Sequence, residues 1–238
     1  MAVYWLGDDN DDNDDIWFPD PKDAEDSGLI AVGGDLSLER LILAYTNGFF
    51  PWYSYKLEED IHWFCPQQRF VIFPEEIHIS HSMRQVLRKK NYEVTFNKDF
   101  EGVMRNCGKV DNRCDDEGAW LGEHIIEAYM QLYRLGFAYS VEVWEKKSDD
   151  NGEEVSALVV GLYGVSFNNV FVGESMFSMV PNGSKIALIY LATALKGKEN
   201  CFIDCQIRTD HLESMGGRYI PYDEYMEILK KDIKSVFS

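Results

Sequence analysis

The 238 residues include 41 acids against 23 lysines and arginines, a net charge of −18, with 45% hydrophobic and 14% aromatic content. That is enough apolar material for one large or two small packed domains and too much for a disordered chain. No run of eighteen apolar residues exists, and MAVYWLGDD offers neither a basic start nor a cleavable apolar core, so a soluble, cytoplasmic chain without a targeting segment is expected.

The five cysteines, Cys65, Cys107, Cys114, Cys201 and Cys205, form no CxxC pair and have no histidine at zinc-ligand spacing. A reduced chain is expected, with no structural metal and no cofactor. The overall charge argues against a polyanionic partner, but its distribution is uneven. Residues 1–35 carry eleven acids against Lys22 alone, whereas residues 80–113 carry eight basic residues against four acids. A locally basic face on an acidic protein is compatible with this pattern, and so is a solvated helix surface.

In chain order, Asp8 to Asp15 reads DDNDDNDD. It lacks the glycine at position six and the closing glutamate of a calcium loop, so a solvated acidic loop is the reading. Gly33-Gly34 marks a turn, and Asp35 or Ser37 can cap a helix that puts Leu38, Leu41, Ile42 and Tyr45 on one face and ends near Asn47-Gly48. It delivers the aromatic tip Phe49, Phe50, Trp52 and Tyr53. IHWFCPQQRFVIF reads as one or two short strands broken at Pro66. Ser80 or Ser82 can cap a short basic helix, with a strand over Tyr92 to Phe96 and a further helix near Lys98 to Cys107. Spacings of three and four between Ile125, Ile126, Tyr129, Leu132 and Tyr133 predict an amphipathic helix ended by Gly136.

Three strands, AYSVEVWEK, ALVVGLYGVSF and VFVGES, follow with turn residues between them, then a helix over Gly183 to Leu195, the strand FIDCQ, a short helix from Asp210 and a last one from Tyr222 to about Ile233. This order predicts an α+β fold with a mixed sheet flanked by helices, and a division near Pro74 into a small N-terminal α/β domain, 1–74, and a larger domain, 75–238.

Two acids stand out because they interrupt apolar runs: Glu174 in GESMF and Asp204 in FIDCQ. A buried carboxylate needs a cation, a donor network or a functional role. Gln206 follows Asp204 by two residues, and the strand period of two would put both side chains on one face. A satisfied core carboxylate is the other reading of each acid.

The motifs WFPDP, GLIAVGGDLS, GFFPWYS, HWFCP, HISHSM, LGEHIIEAYMQLYRLG, SVEVW, VGLYGVS, FVGESMFS, NGSKIAL, FIDCQ and HLESMGG, in that order, resemble those of the leucyl/phenylalanyl-tRNA protein transferases over about Ile16 to Leu229. The resemblance implies an acetyltransferase-like fold for the larger domain and an aminoacyltransferase that moves leucine or phenylalanine from its tRNA to the N-terminal Arg or Lys of a protein, marking it for N-end rule degradation. By match of motif it implies that Trp52 and Trp120 hold the tRNA's terminal adenosine. It implies further that Leu162, Phe171, Met176, Leu188, Leu191 and Ile203 form the aminoacyl pocket. Glu174, Asp204 and Gln206 would stand beside the reacting groups, and Arg84, Arg88, Lys89 and Lys90 would form a basic face for the acceptor stem. No metal or cofactor is implied, and a monomer is expected. The acidic run at Asp8 to Asp15 departs from the family's pattern, as do Leu162, Leu191 and Tyr222.

The chemistry fits these parts. An aminoacyl ester is already activated and an α-amino group has a pKa of about 7.7–8.0, so positioning can supply most of the acceleration. Gln206, polarised by Asp204, would orient the amine, leaving proton removal to a water or the ribose hydroxyl. Glu174 and Asp204 together would make an anionic cleft that selects basic acceptors. The alternatives are an acetyl-CoA-dependent N-acetyltransferase on the same fold, for which SMVPNGSKIAL offers only a weak pyrophosphate turn, and a non-catalytic adaptor for basic N-termini.

Overall fold

A meander of long strands, residues 138–178, is the spine of the molecule. The computed structural model describes residues 3–7, 16–52, 60–89, 91–110, 122–148 and 153–229. The acidic run Asp8 to Asp15, Lys90, Trp120 and the expected continuation of the last helix past Leu229 lie outside the described residues. The strands are β1 (Tyr4–Leu6), β2 (Leu29–Gly33), β3 (Phe50–Trp52), β4 (His62–Phe64), β5 (Gln68–Ile72), β6 (Tyr92–Phe96), β7 (Ala138–Ser148), β8 (Glu154–Phe167), β9 (Val170–Ser178), β10 (Phe202–Asp204) and β11 (Arg218–Pro221). The helices are α1 (Leu38–Thr46), α2 (His81–Arg88), α3 (Phe100–Val110), α4 (Glu123–Arg134), α5 (Gly183–Leu195), α6 (Asp210–Ser214) and α7 (Tyr222–Leu229).

Two sheets result. A small one has the order β1-β2-β4-β3, and a seven-stranded one the order β11-β5-β10-β9-β8-β7-β6. In the large sheet β9 and β10 run parallel, joined by the crossover helix α5, while the other pairs are antiparallel. The fold is therefore α+β with a mixed sheet. The small sheet lies wholly before residue 74, where we propose the division into two units, and β5 is the strand from that side that hydrogen-bonds into the large sheet.

Strand alternation explains why both faces of the large sheet are covered. Val71, Val172 and Phe202 point to a core shared with the small sheet, α1, α3, α4 and α7. Ile72, Phe171 and Ile203, one residue away from each, point to a second core against α2 and α5. Helix α5 is apolar on most sides, with Ile186, Ala187, Leu188, Ile189, Leu191, Ala192 and Leu195 buried. Burying each of its larger side chains contributes about 1.5–3 kcal/mol.

Local chemistry sets the element ends. Ser37 Oγ accepts from the Arg40 N–H at 3.3 Å and Asp35 Oδ1 from the Ser37 N–H, so both candidate residues take part in starting α1. Ser80, not Ser82, caps α2, accepting from the Met83 N–H. The β8–β9 turn uses Asn168 at φ +54°, a left-handed conformation that asparagine tolerates. The Asn168 amide donates to the Leu229 carbonyl and so pins α7 to the hairpin.

Candidate active site

Glu174 owes its position to a fault in the β8–β9 ladder. Tyr163 pairs with Ser175 and Gly164 with Gly173, which leaves Glu174 as the extra residue of a bulge. Gly164 permits this approach, since a Cβ there would stand 2.1 Å from the Val172 carbonyl oxygen. The bulge turns the carboxylate toward α4 and α1. Tyr129 donates to Glu174 Oε2 at 2.9 Å, and the Tyr129 hydroxyl lies 2.5 Å from that of Tyr45. A phenol has one proton, so with Tyr129 donating to the acid, Tyr45 donates to Tyr129. Burial raises the Glu174 carboxyl to about 7, and its two tyrosine partners hold it back from going higher. Burial likewise keeps both phenols well above their ordinary range.

Asp204 has a different setting. It is fully buried at the end of β10, where Oδ2 accepts from Arg69 Nη1 at 2.7 Å and from the Tyr225 hydroxyl at 3.0 Å. The Arg69 guanidinium lies between the rings of Phe50 and Tyr225, at 5.0 and 4.7 Å from their centroids, and donates to the Gly48 carbonyl as well. Burial pushes the Asp204 carboxyl up, while Arg69, the Gln206 N–H and Tyr225 oppose it. The cation that a buried acid requires is thus supplied from within the chain. Both acids line one cleft, as expected, but the purely anionic cleft is corrected: Asp204 is paired with Arg69, so Glu174 is the acid there without a cationic partner among the described residues.

The expected placing of Gln206 also changes. Strand β10 stops at Asp204, and Gln206 has φ +62°, so the strand period does not carry to it. Its backbone N–H donates to Asp204 Oδ1 at 2.8 Å, closing a turn on the acid. Its side-chain Nε2 lies 3.3 Å from Glu174 Oε1. The turn, not a shared strand face, brings the amide to Glu174.

Glu174 and Asp204 lie in the wall of a cleft of about 450 Å³, its open mouth included, lined by Leu162, Gly173, Glu174, Ser175, Met176, Leu188, Ile203, Asp204, Cys205 and Leu212, and Gln206 adjoins it through Glu174. Four of the six expected pocket residues are in that lining. Phe171 and Leu191 are fully buried in the apolar cluster behind it. Cys205 shares the wall, but burial raises its thiol far above the usual range, which removes it as a thiolate nucleophile at neutral pH.

Trp52 stands elsewhere, 44% exposed on the edge strand β3, two residues from the Phe50 ring that covers Arg69. Arg84, Arg88 and Lys89 lie exposed along and just after α2, and none of the three forms an ion pair among the described residues. Sequence reasoning missed Arg69, Tyr45, Tyr129 and Tyr225 as site residues. A signal existed for the first, because Arg69 in QQRFVIF is a cation inside an apolar run, the same mark that singled out Glu174 and Asp204.

The chain matches a family model described as Leucyl/phenylalanyl-tRNA protein transferase over residues 71–230, and the model of that family's N-terminal domain over residues 34–67. Among curated proteins it is 47% identical to the leucyl/phenylalanyl-tRNA protein transferase of Syntrophus aciditrophicus (strain SB) over 219 residues, 92% of this chain and 87% of that protein. It is 47% identical to the one of Flavobacterium psychrophilum over 214 residues, 90% and 96% of the two chains. For that of Maridesulfovibrio salexigens the identity is 41% over 234 residues, 98% and 90%.

Proposed function

The chain belongs to the leucyl/phenylalanyl-tRNA protein transferase family, and on that premise we propose that it moves leucine or phenylalanine from its tRNA to the N-terminus of a protein, using the cleft at Glu174. The observation that carries this reading is the cleft's mixed lining: the apolar side chains of Leu162, Met176, Leu188 and Ile203 share it with Glu174, whose Oε1 meets the Gln206 amide. A branched or aromatic side chain packs against the apolar part of the wall. Its ester then lies beside Glu174, where the acceptor amine can be held against it.

Phe171 and Leu191 back the wall and set how far it can yield. Asp204 acts through position: it fixes the turn that presents Gln206, and the Gln206 amide orients the amine. The exposed ring of Trp52, with Trp120, offers a face on which the terminal adenosine stacks. Arg84, Arg88 and Lys89, with Lys90, give phosphate contacts for the acceptor stem, which supply affinity without sequence choice.

For the acceptor we propose N-terminal Arg or Lys, favoured by the negative field of a chain of net charge −18. We propose a monomer, working in a reducing compartment such as the cytoplasm. Cys65, Cys201 and Cys205 are free thiols, and no described helix is long and apolar enough to cross a membrane. The test is to incubate the protein with leucyl- or phenylalanyl-tRNA and a peptide beginning with Arg. The expected product is the peptide longer by one residue, and its absence overturns the reading.

A further inference from the structure

We propose that Glu174 is the proton acceptor of the transfer reaction, held at the cleft by a two-tyrosine chain running through Tyr129 to Tyr45. The proposal rests on the functional reading above and names the group that reading leaves open.

Position selects Glu174 over the other polar groups of the cleft. Asp204 has no exposed surface and already accepts from Arg69, Tyr225 and the Gln206 N–H. Gln206 carries an amide, which is a very weak base. Glu174 lines the cleft and is only part-buried, with Oε2 taken by Tyr129 and Oε1 meeting Gln206 Nε2 at a long 3.3 Å. A carboxylate oxygen has two lone-pair sites, so Oε1 can accept a further donor beside that amide. The Gln206 amide and the attacking amine thus meet at one oxygen.

The step balances with no other reagent. The amine nitrogen attacks the ester carbonyl, the C–N bond forms, and the nitrogen's surplus proton passes to Glu174 Oε1. As the C–O bond to the ribose breaks, the same proton goes to the departing oxygen, and Glu174 ends the cycle ionised. A base acts best with a pKa near the working pH. The groups that face Glu174 set such a value from every side. Tyr45 of α1, Tyr129 of α4 and Arg69 of β5 hold the carboxyl down, while burial and Asp204 of β10 push it up, and Tyr163 of β8 stays a neutral phenol. The tyrosines supply hydrogen bonds without a counter-charge, so the carboxylate keeps basicity that an ion pair would remove.

The test is the pH dependence of kcat/KM for leucyl transfer to an Arg-starting peptide. The parent should show an acid limb near 7 that stays when the acceptor is changed for one of different amine pKa, whose own limb moves with the acceptor. Tyr129→Phe removes a donor to the carboxylate and should move the first limb up by about one pH unit. Tyr45→Phe removes the other hydroxyl that holds the carboxyl down and should move it the same way, and serves if Tyr129→Phe does not fold. Glu174→Gln should lose about 10²–10⁴-fold in kcat and should lack the carboxyl band that titrates near 7 in the parent's infrared difference spectrum. A limb that follows the acceptor alone, or a Glu174→Gln variant with the parent's kcat, overturns the proposal while leaving the transferase reading intact. No transfer by the parent overturns both.

Discussion

Asp204 Oδ2 lies 2.7 Å from Arg69 Nη1, and both side chains are closed off from solvent. Breaking such a pair leaves one charge buried alone, which costs more than the pair contributes when intact. Arg69→Met and Asp204→Asn should each destabilise the fold by about 3–5 kcal/mol, measured by urea unfolding. The double variant should lose less than the sum of the two. An Asp204→Asn variant with an unchanged unfolding midpoint would show that the pair does not hold the fold.

Glu174 ties stability to pH. Its carboxyl is raised to about 7, against about 4.3 in an unfolded chain. Across that window the folded state holds a proton that the unfolded state has released. Stability therefore falls as pH rises from about 4.3 to 7, by on the order of 3 kcal/mol from this group, and is level above. Unfolding at pH 5 and at pH 7.5 should show a steeper loss in the parent than in Glu174→Gln. Equal slopes would mean that the acid is already ionised at the lower pH.

Trp52 is exposed, so its removal should spare the fold. Trp52→Ala should cost roughly 1–3 kcal/mol in binding of an aminoacyl-adenosine end, read by titration calorimetry, with little change in Tm. A large fall in Tm would assign the ring to packing against Phe64, whose centroid lies 6.4 Å away.

The cations of α2 should act through salt-sensitive interactions with phosphate. Replacing Arg84 and Arg88 by Ala should weaken binding of charged tRNA and flatten the log–log salt dependence by about one unit for each phosphate no longer neutralised. An unchanged slope would leave them as a solvated helix face.

The elements most legible in the sequence were those long enough to show a period. Helices α4 and α5 and the meander of β7, β8 and β9 run for nine to fourteen residues, and their apolar spacing located them. Strands β1, β2, β3 and β11 have three to five residues and escaped, while β4, β5, β6 and β10 are as short and were read from their apolar and aromatic composition rather than from alternation. At the site, the acids were visible as charges in apolar runs. Their partners were not, because Arg69 is 135 residues from Asp204 and Tyr129 is 45 from Glu174, separations that no local spacing rule connects. Gln206 was misplaced because a positive φ at a glutamine has no mark in the sequence, and the bulge at Glu174 hides inside VFVGESMF for the same reason.

The order of the large sheet also governs when it can form. Strand β5 is made early but lies between β10 and β11, both drawn from the last forty residues. At a ribosomal pace of about 5–20 residues per second, β5 waits on the order of ten seconds for its neighbours. During that interval its two hydrogen-bonding edges have no native partner, and the Arg69 charge has the Gly48 carbonyl and the Phe50 ring but not its counter-charge Asp204. The meander of β7, β8 and β9 can zip up as it emerges, being locally connected, but the site cannot. Its assembly must wait until β10 and β11 have been made, and a chain cut short before Phe202 would lack both strands that receive β5.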